Sequence, residues 1–274
     1  MRYQSLVTDF AHPPALTELN PAESRLASAL ARPKWIALGC IAVLTACGWL
    51  ALGLLAAKSG GWAALCRPLR GGGFDEFALT LPIWVAMTLA MMLPTAGPMI
   101  LTYAEIADTA ARKRETVVSP LILTAGYVAV WLGFAVAAAA LQAALPGEIL
   151  AAGRTGALIS GALIMIAGLY QFSPLKRSCL TLCQQPFPFF FANWTTATAG
   201  VFRLGLRQGL YCLGCCAAMM LLMFATGVMN VIWMAALGVA MAIEKLATTT
   251  RFTYCLGVVF IAIGLGFVGS GLLS

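Results

Sequence analysis

The sequence predicts an all-α, polytopic transmembrane helix bundle of about seven spans, and three observations carry that expectation. The 274 residues are 61% hydrophobic and only 10% charged, against about 25% charged in a soluble domain. Long apolar runs bounded by charge, proline or glycine recur along the chain, most of them near the roughly 20 residues that a spanning helix needs. Basic residues also fall unevenly between alternate loops, as the positive-inside rule describes. Such a composition excludes a separate soluble catalytic domain. The single histidine, His12, lies in a polar N-terminal stretch, so histidine-rich zinc centres, haem ligation within the bilayer and a Ser-His-Asp triad are excluded too.

Helices are expected at 35–57, 78–103, 118–142, 155–172, 206–227, 230–246 and 253–273. Residues 1–34 are polar and lack the apolar core and cleavage site of a signal peptide. They read as a cytoplasmic segment ahead of a single transmembrane domain, 35–274, whose first helix remains as an anchor. The second run contains Pro94 and Pro98, which lack an amide proton and free the carbonyls of Ala90 and Pro94. One broken or kinked span is expected there. In the third run, Ala137–Ala140 offers small side chains for close helix packing.

Residues 173–205 form the expected cytoplasmic loop. It opens on Ser173-Pro174, an N-cap followed by proline at the first helical position, and Pro186 ends that short helix. Phe187, Phe189, Phe190, Phe191 and Trp194 then suit a membrane interface. The sixth span depends on a turn at Gly227-Val228-Met229-Asn230; without it the C-terminus changes sides. With the N-terminus inside and the C-terminus outside, thirteen of the 17 Lys+Arg fall in cytoplasmic segments and only Lys58, Arg67, Arg70 and Arg154 outside. The net charge of +7 is thus spent on orientation rather than on nucleic acid, and a bacterial inner membrane is the expected location.

Sulfur is concentrated in three places. The broken second span carries Met91, Met92 and Met99, and freed backbone in a bilayer is tolerated where it packs in protein or lines a cavity. A kinked packing helix with ordinary methionines accounts for that pattern equally well. On the loop helix, Cys179 and Cys183 are one turn apart on one face, with Lys176 and Arg177 beside them as groups able to depress thiol pKa values. The fifth span holds Cys212, Cys215, Cys216, Met219, Met220 and Met223. Cys212, Cys216, Met219 and Met223 make a helical stripe, bordered by Cys215. A lone membrane cysteine is usually a small apolar residue, but three within five residues are not explained that way. Glu244, at the end of the sixth span, is a further ligand candidate or one half of an interfacial ion pair.

Thiolate and thioether donors favour Cu(I), whereas zinc gains little from methionine. The expected ligand set is therefore Cys212, Cys215 and Cys216, with Cys179 and Cys183 as entry ligands. Met91, Met92, Met99, Met219 and Met223 would extend a thioether path, and Glu244 adds a carboxylate. Three alternatives stay open at this stage. Four thiols can close a structural Zn site, the C-x-x-C of Cys212 and Cys215 can carry electrons as a thiol-disulfide pair, or the bundle is plain packing with chance sulfur. Enzymatic chemistry is not indicated. The expected partners are the lipid bilayer, a metal ion, and a metallochaperone or metalloenzyme client, with no nucleic acid.

The ordered set Met91-Met92-Leu93-Pro94, Pro98-Met99, Pro174-Leu175-Lys176, Cys179, Cys183, Pro186, Gly209, Tyr211-Cys212, Gly214-Cys215-Cys216, Met219-Met220, Gly227-Val228-Met229-Asn230, Trp233-Met234 and Glu244-Lys245 resembles a bacterial family. That family is known as predicted metal-binding integral membrane proteins, a domain of unknown function, and the resemblance covers roughly 78–246. It implies a polytopic inner-membrane protein with a metal role. In the family an arginine commonly follows the second loop cysteine and a tryptophan follows the double cysteine; here those positions are Gln184 and Ala217. Cys40, Cys47, Cys66 and Cys255 lie outside the motifs and read as apolar packing residues.

Overall fold

A computed structural model describes residues 33–58, 74–144, 153–225, 231–247 and 249–273. His12, Cys66, Arg67, Arg70, the turn at Gly227–Asn230 and most of the N-terminal segment lie outside the described residues. Every regular element among the described residues is a helix: α1 (Pro33–Lys58), α2 (Phe74–Thr95), α3 (Gly97–Arg112), α4 (Pro120–Ala144), α5 (Arg154–Tyr170), α6 (Pro174–Gln184), α7 (Pro186–Ala192), α8 (Thr198–Ala225), α9 (Val231–Leu246) and α10 (Arg251–Leu273).

The second predicted run is broken, as the prolines require. Helix α2 stops at Thr95 and α3 restarts at Gly97, with Pro98 in its first turn. The Ala96 amide still reaches the carbonyls of Met92 and Leu93, both at 3.1 Å. Beyond the break the chain stays helical to Arg112, well past the expected end at 103, because α3 buries Met99, Ile100, Tyr103, Ala104 and Ala107 while Arg112 faces solvent.

Helix α8 begins at Thr198, eight residues before the expected start at 206. Arg203 and Arg207 had marked a boundary, but both are exposed while Val201, Leu204, Gly205 and Gln208 are buried. The helix therefore begins as an amphipathic segment, packed on one face and exposed on the other.

Five helices among the described residues are long and apolar enough to cross a membrane: α1, α2, α4, α8 and α10. Helices α5 and α6 pass that test only together, with a 63° bend between them. Helix α9, at 16 residues, is about 24 Å long, shorter than a hydrocarbon core of about 30 Å. The seven spans expected from the sequence thus stand at five, or six with the bent pair taken as one.

Burial separates the centre from the rim. Half or more of α2 and α8 is buried, 56% and 50%, against 17% for α1 and 22% for α10. Helices α2 and α8, which carry Met91, Met92 and the three clustered cysteines, are consequently inner ones. Helix α8 packs on α4 backbone to backbone: a Cβ added at Gly205 would run into the Leu123 carbonyl oxygen, and one at Gly126 into that of Phe202. Small residues permit such an approach and are the usual basis of close helix association in membranes. Ala138 and Ala139 of the alanine run are likewise buried. Trp84 joins α2 to α4 by donating its indole N–H to Gln142 at 2.9 Å, and it stacks on Phe224 of α8.

Candidate metal centre

Helical geometry alone brings the three thiols of α8 together. Residues three and four apart share a face, so Cys215 and Cys216 both sit one turn beyond Cys212. Their three Sγ atoms lie within 4.8 Å of one another, and each residue is only 1% exposed. Cys215 Sγ is 3.3 Å from Cys216 Sγ and 3.2 Å from the Cys212 carbonyl oxygen, to which it donates.

The loop helix adds a fourth thiol. Ser173 caps α6 as its sequence suggests, accepting from the Leu175 amide at 3.2 Å, and this fixes the register of the two loop cysteines. Cys183 Sγ lies 3.9 Å from Cys215 Sγ. Cys179 packs against the backbone of α8 instead. A Cβ added at Gly214 would lie 2.6 Å from its sulfur, so the glycine is what lets α6 come so close. Tyr170, just before the bend, donates its hydroxyl to the Gly214 carbonyl at 2.6 Å.

Glu244 belongs to an ion pair. Its carboxylate accepts from the Lys176 ammonium at 2.8 and 3.1 Å, with the two side chains 2% and 0% exposed. The positive charge of Lys176 is therefore directed at Glu244 rather than at the loop thiols, and Arg177 lies 6.0 Å from the centroid of the Tyr254 ring. The cation beside a core thiol is Lys245, whose ammonium donates to Cys212 Sγ at 3.0 Å and to the Thr95 hydroxyl at 2.6 Å. The two neighbours thus turn apart, Glu244 to Lys176 and Lys245 to Cys212, which their adjacency in sequence does not reveal. Gln184 donates its amide to the carbonyls of Glu244 and Ala247 at 2.8 and 2.7 Å. It caps the end of α9, whose last carbonyls lack helical partners.

Tyr127 was not anticipated at all. Its hydroxyl lies 3.0 Å from both Cys212 Sγ and the Met92 carbonyl. A lone tyrosine on an apolar helix gives no periodic signal, and the pairing spans 85 positions.

The methionines are interior. Met91, Met92, Met99, Met219 and Met223 are all 5% exposed or less and belong to the same core as the three thiols. Met219 and Met223 continue the cysteine face along α8. Met91 lies against Gly238 of α9, where an added Cβ would be 3.4 Å from its terminal methyl. Met92 is linked to Cys212 through its carbonyl, by way of Tyr127.

The donor set suits a soft ion. Metal–thiolate bonds of about 2.3 Å place two coordinated sulfurs up to about 4.6 Å apart, a separation that small thiol rotations within the cluster reach. Thiolate and thioether donors select Cu(I) or zinc over hard cations.

Comparison with known proteins agrees with this chemistry. Residues 81–267, more than half of the chain and extending from α2 to α10, match a family described as "PpoB2: Copper chaperone". No match was found among curated proteins or among solved structures. The match and the buried three-cysteine cluster fit a metal-binding family, and on the extent of the match this chain belongs to the PpoB2 copper chaperone family.

Proposed function

We propose that this chain is a multi-pass inner-membrane protein that takes up Cu(I) on Cys212, Cys215 and Cys216 and passes it to a metalloenzyme client. The observation that carries the reading is the enclosed trio of thiols, mutually within 4.8 Å, in a member of a copper chaperone family. In this reading Cys183 and Cys179 on α6 receive or release the ion, because Cys183 stands 3.9 Å from the trio's Cys215. Met219 and Met223 supply thioether sites deeper along α8, with Met91, Met92 and Met99 on the broken span as further donors. Glu244 serves by holding Lys176, and so α6, against α9. An ion exchanged between neighbouring sulfurs never meets water, which suits a metal whose free form is reactive.

The topology that goes with this reading is seven membrane passes, with the short helices α5 and α9 completing the five that meet span length and the N-terminus inside. Arg203, Arg207 and Lys176 then mark the cytoplasmic end of the bundle, where α6 meets the trio.

The test is elemental analysis of anaerobically purified, detergent-solubilised protein beside its Cys212/Cys215/Cys216→Ser variant. Copper bound by the native chain and lost from the variant is the expected result. Zinc at one ion per chain, retained through chelation, would replace this reading by a closed structural site using Cys183 as fourth ligand.

A further inference from the structure

Cys212, Cys215 and Cys216 on α8 and Cys179 and Cys183 on α6 are all free thiols, and geometry decides which of them can join. Residues three or four apart on one helix hold their Cβ atoms about 5–6 Å apart, whereas a disulfide spans about 3.5–4.5 Å between Cβ atoms. A bridge from Cys212 to Cys215 or Cys216, or from Cys179 to Cys183, would have to distort the helix that carries it. The C-x-x-C pair belongs to this group, and it lies in the middle of α8 (Thr198–Ala225) rather than in a first turn where the backbone can yield. Cys215 and Cys216 have sulfurs 3.3 Å apart, but neighbours in sequence have Cα atoms only about 3.8 Å apart, short of the roughly 4.4–6.8 Å of ordinary disulfides.

The contact that crosses between helices is Cys183 with Cys215, whose sulfurs stand 3.9 Å apart. Closing them to a bond of about 2.05 Å asks for side-chain rotation rather than the unwinding of a helix. The close approach of α6 to Gly214 keeps the pair together, since an added Cβ there would lie 2.6 Å from the Cys179 sulfur. The two thiols differ in access. Cys183 is half-buried and Cys215 is 1% exposed, so a reagent from outside meets Cys183 first.

We propose that Cys183 and Cys215 form a thiol-disulfide site that takes a low-molecular-weight disulfide of the glutathione class as its oxidant, and that the resulting bridge closes the metal centre. The pairing stands on geometry alone, and its consequence for metal rests on the copper-binding reading above. The Cys183 sulfur attacks the small disulfide, one glutathione leaves as thiol with the Cys183 proton, and a mixed disulfide remains on Cys183. The Cys215 sulfur then attacks Cys183 Sγ and expels the second glutathione, which takes the Cys215 proton. The chain loses two electrons and two protons, and the small disulfide gains both as two thiols. Cys215 is thereby withdrawn from the trio, and α6 is fastened covalently to α8 above Cys212 and Cys216.

The test uses the full chain in detergent, stripped of metal by a chelator and incubated with glutathione disulfide. Free thiols are then blocked with N-ethylmaleimide and the bridged cysteines assigned by mass spectrometry with fragmentation. The native chain is expected to show Cys183 joined to Cys215, a bridge lost in Cys183→Ser and kept in Cys179→Ser. Pairing within α8, pairing of Cys183 with Cys212 or Cys216, or no bridge would each overturn the inference, and the native chain alone decides this whether or not a variant folds. Saturation with Ag(I), a redox-silent soft cation, before the disulfide is added should suppress the bridge. The bridged chain should take up less Ag(I) than the reduced one and recover after treatment with dithiothreitol. A bridge that forms equally with and without Ag(I) and leaves its uptake unchanged would instead overturn the copper reading at Cys215, with the pairing intact.

Discussion

At the scale of single residues, the thiols were legible and their surroundings were not. Three cysteines within five residues of one helix must share a face, so the trio follows from spacing alone. Nothing in spacing could reveal Tyr127 or Lys245, because each reaches Cys212 from a different helix. Met219 and Met223 lie between these cases: their place on the cysteine stripe was predictable, and both are fully buried. Replacing both by leucine conserves volume closely while removing two thioether sulfurs. The expected result is an unchanged melting temperature with weaker Cu(I) binding or slower transfer, read by chelator competition on the purified variant. Unchanged affinity and flux would remove the methionines from the copper path. Gly214→Ala probes the contact with α6: its Cβ would displace the Cys179 thiol, so alkylation of Cys179 should quicken while that of Cys212 does not.

At the scale of elements, the prolines announced the break between α2 and α3, and Ser173-Pro174 announced α6. The long amphipathic start of α8 was hidden, because arginines at 203 and 207 look like an end when read as charge and like a solvated face only when burial is known. The contact of α6 with α9 was hidden as well. It rests on Lys176 with Glu244 and on the Gln184 amide, partners roughly 60 positions apart. Breaking one side of a buried ion pair strands the other, at a cost of about 3–5 kcal/mol, whereas replacing both by apolar residues costs far less. Lys176→Met and Glu244→Gln should each destabilise the folded protein by about that amount in chemical denaturation. The double replacement Lys176→Met with Glu244→Leu should recover most of the loss; a double variant as unstable as the sum of the singles would show that the two side chains act separately.

At the scale of the whole molecule, the all-helical class was legible in composition and the number of spans was not. A chain that crosses a bilayer needs elements that satisfy their own backbone, helices or a closed barrel, and every regular element among the described residues is a helix. The number of passes in the proposed topology turns on short helices such as α5 and α9. Reporter fusions after residue 34 and at the C-terminus address this directly. An odd number of passes puts the two ends on opposite sides, with the N-terminal reporter active in the cytoplasm; both ends on one side would mean an even number and reverse the proposed orientation of α10. The fastening of α6 also has a kinetic meaning. With each core thiol only 1% exposed and the half-buried Cys179 and Cys183 carried on a helix bound to α9, an ion-accepting partner meets the α6 thiols first and reaches the trio only when α6 parts from its neighbours. Release by such a carrier is first order: its rate levels off as acceptor concentration rises, at a plateau equal to the opening rate of α6. Loosening Lys176 from Glu244 would raise that plateau and leave the equilibrium affinity of the three thiols nearly untouched.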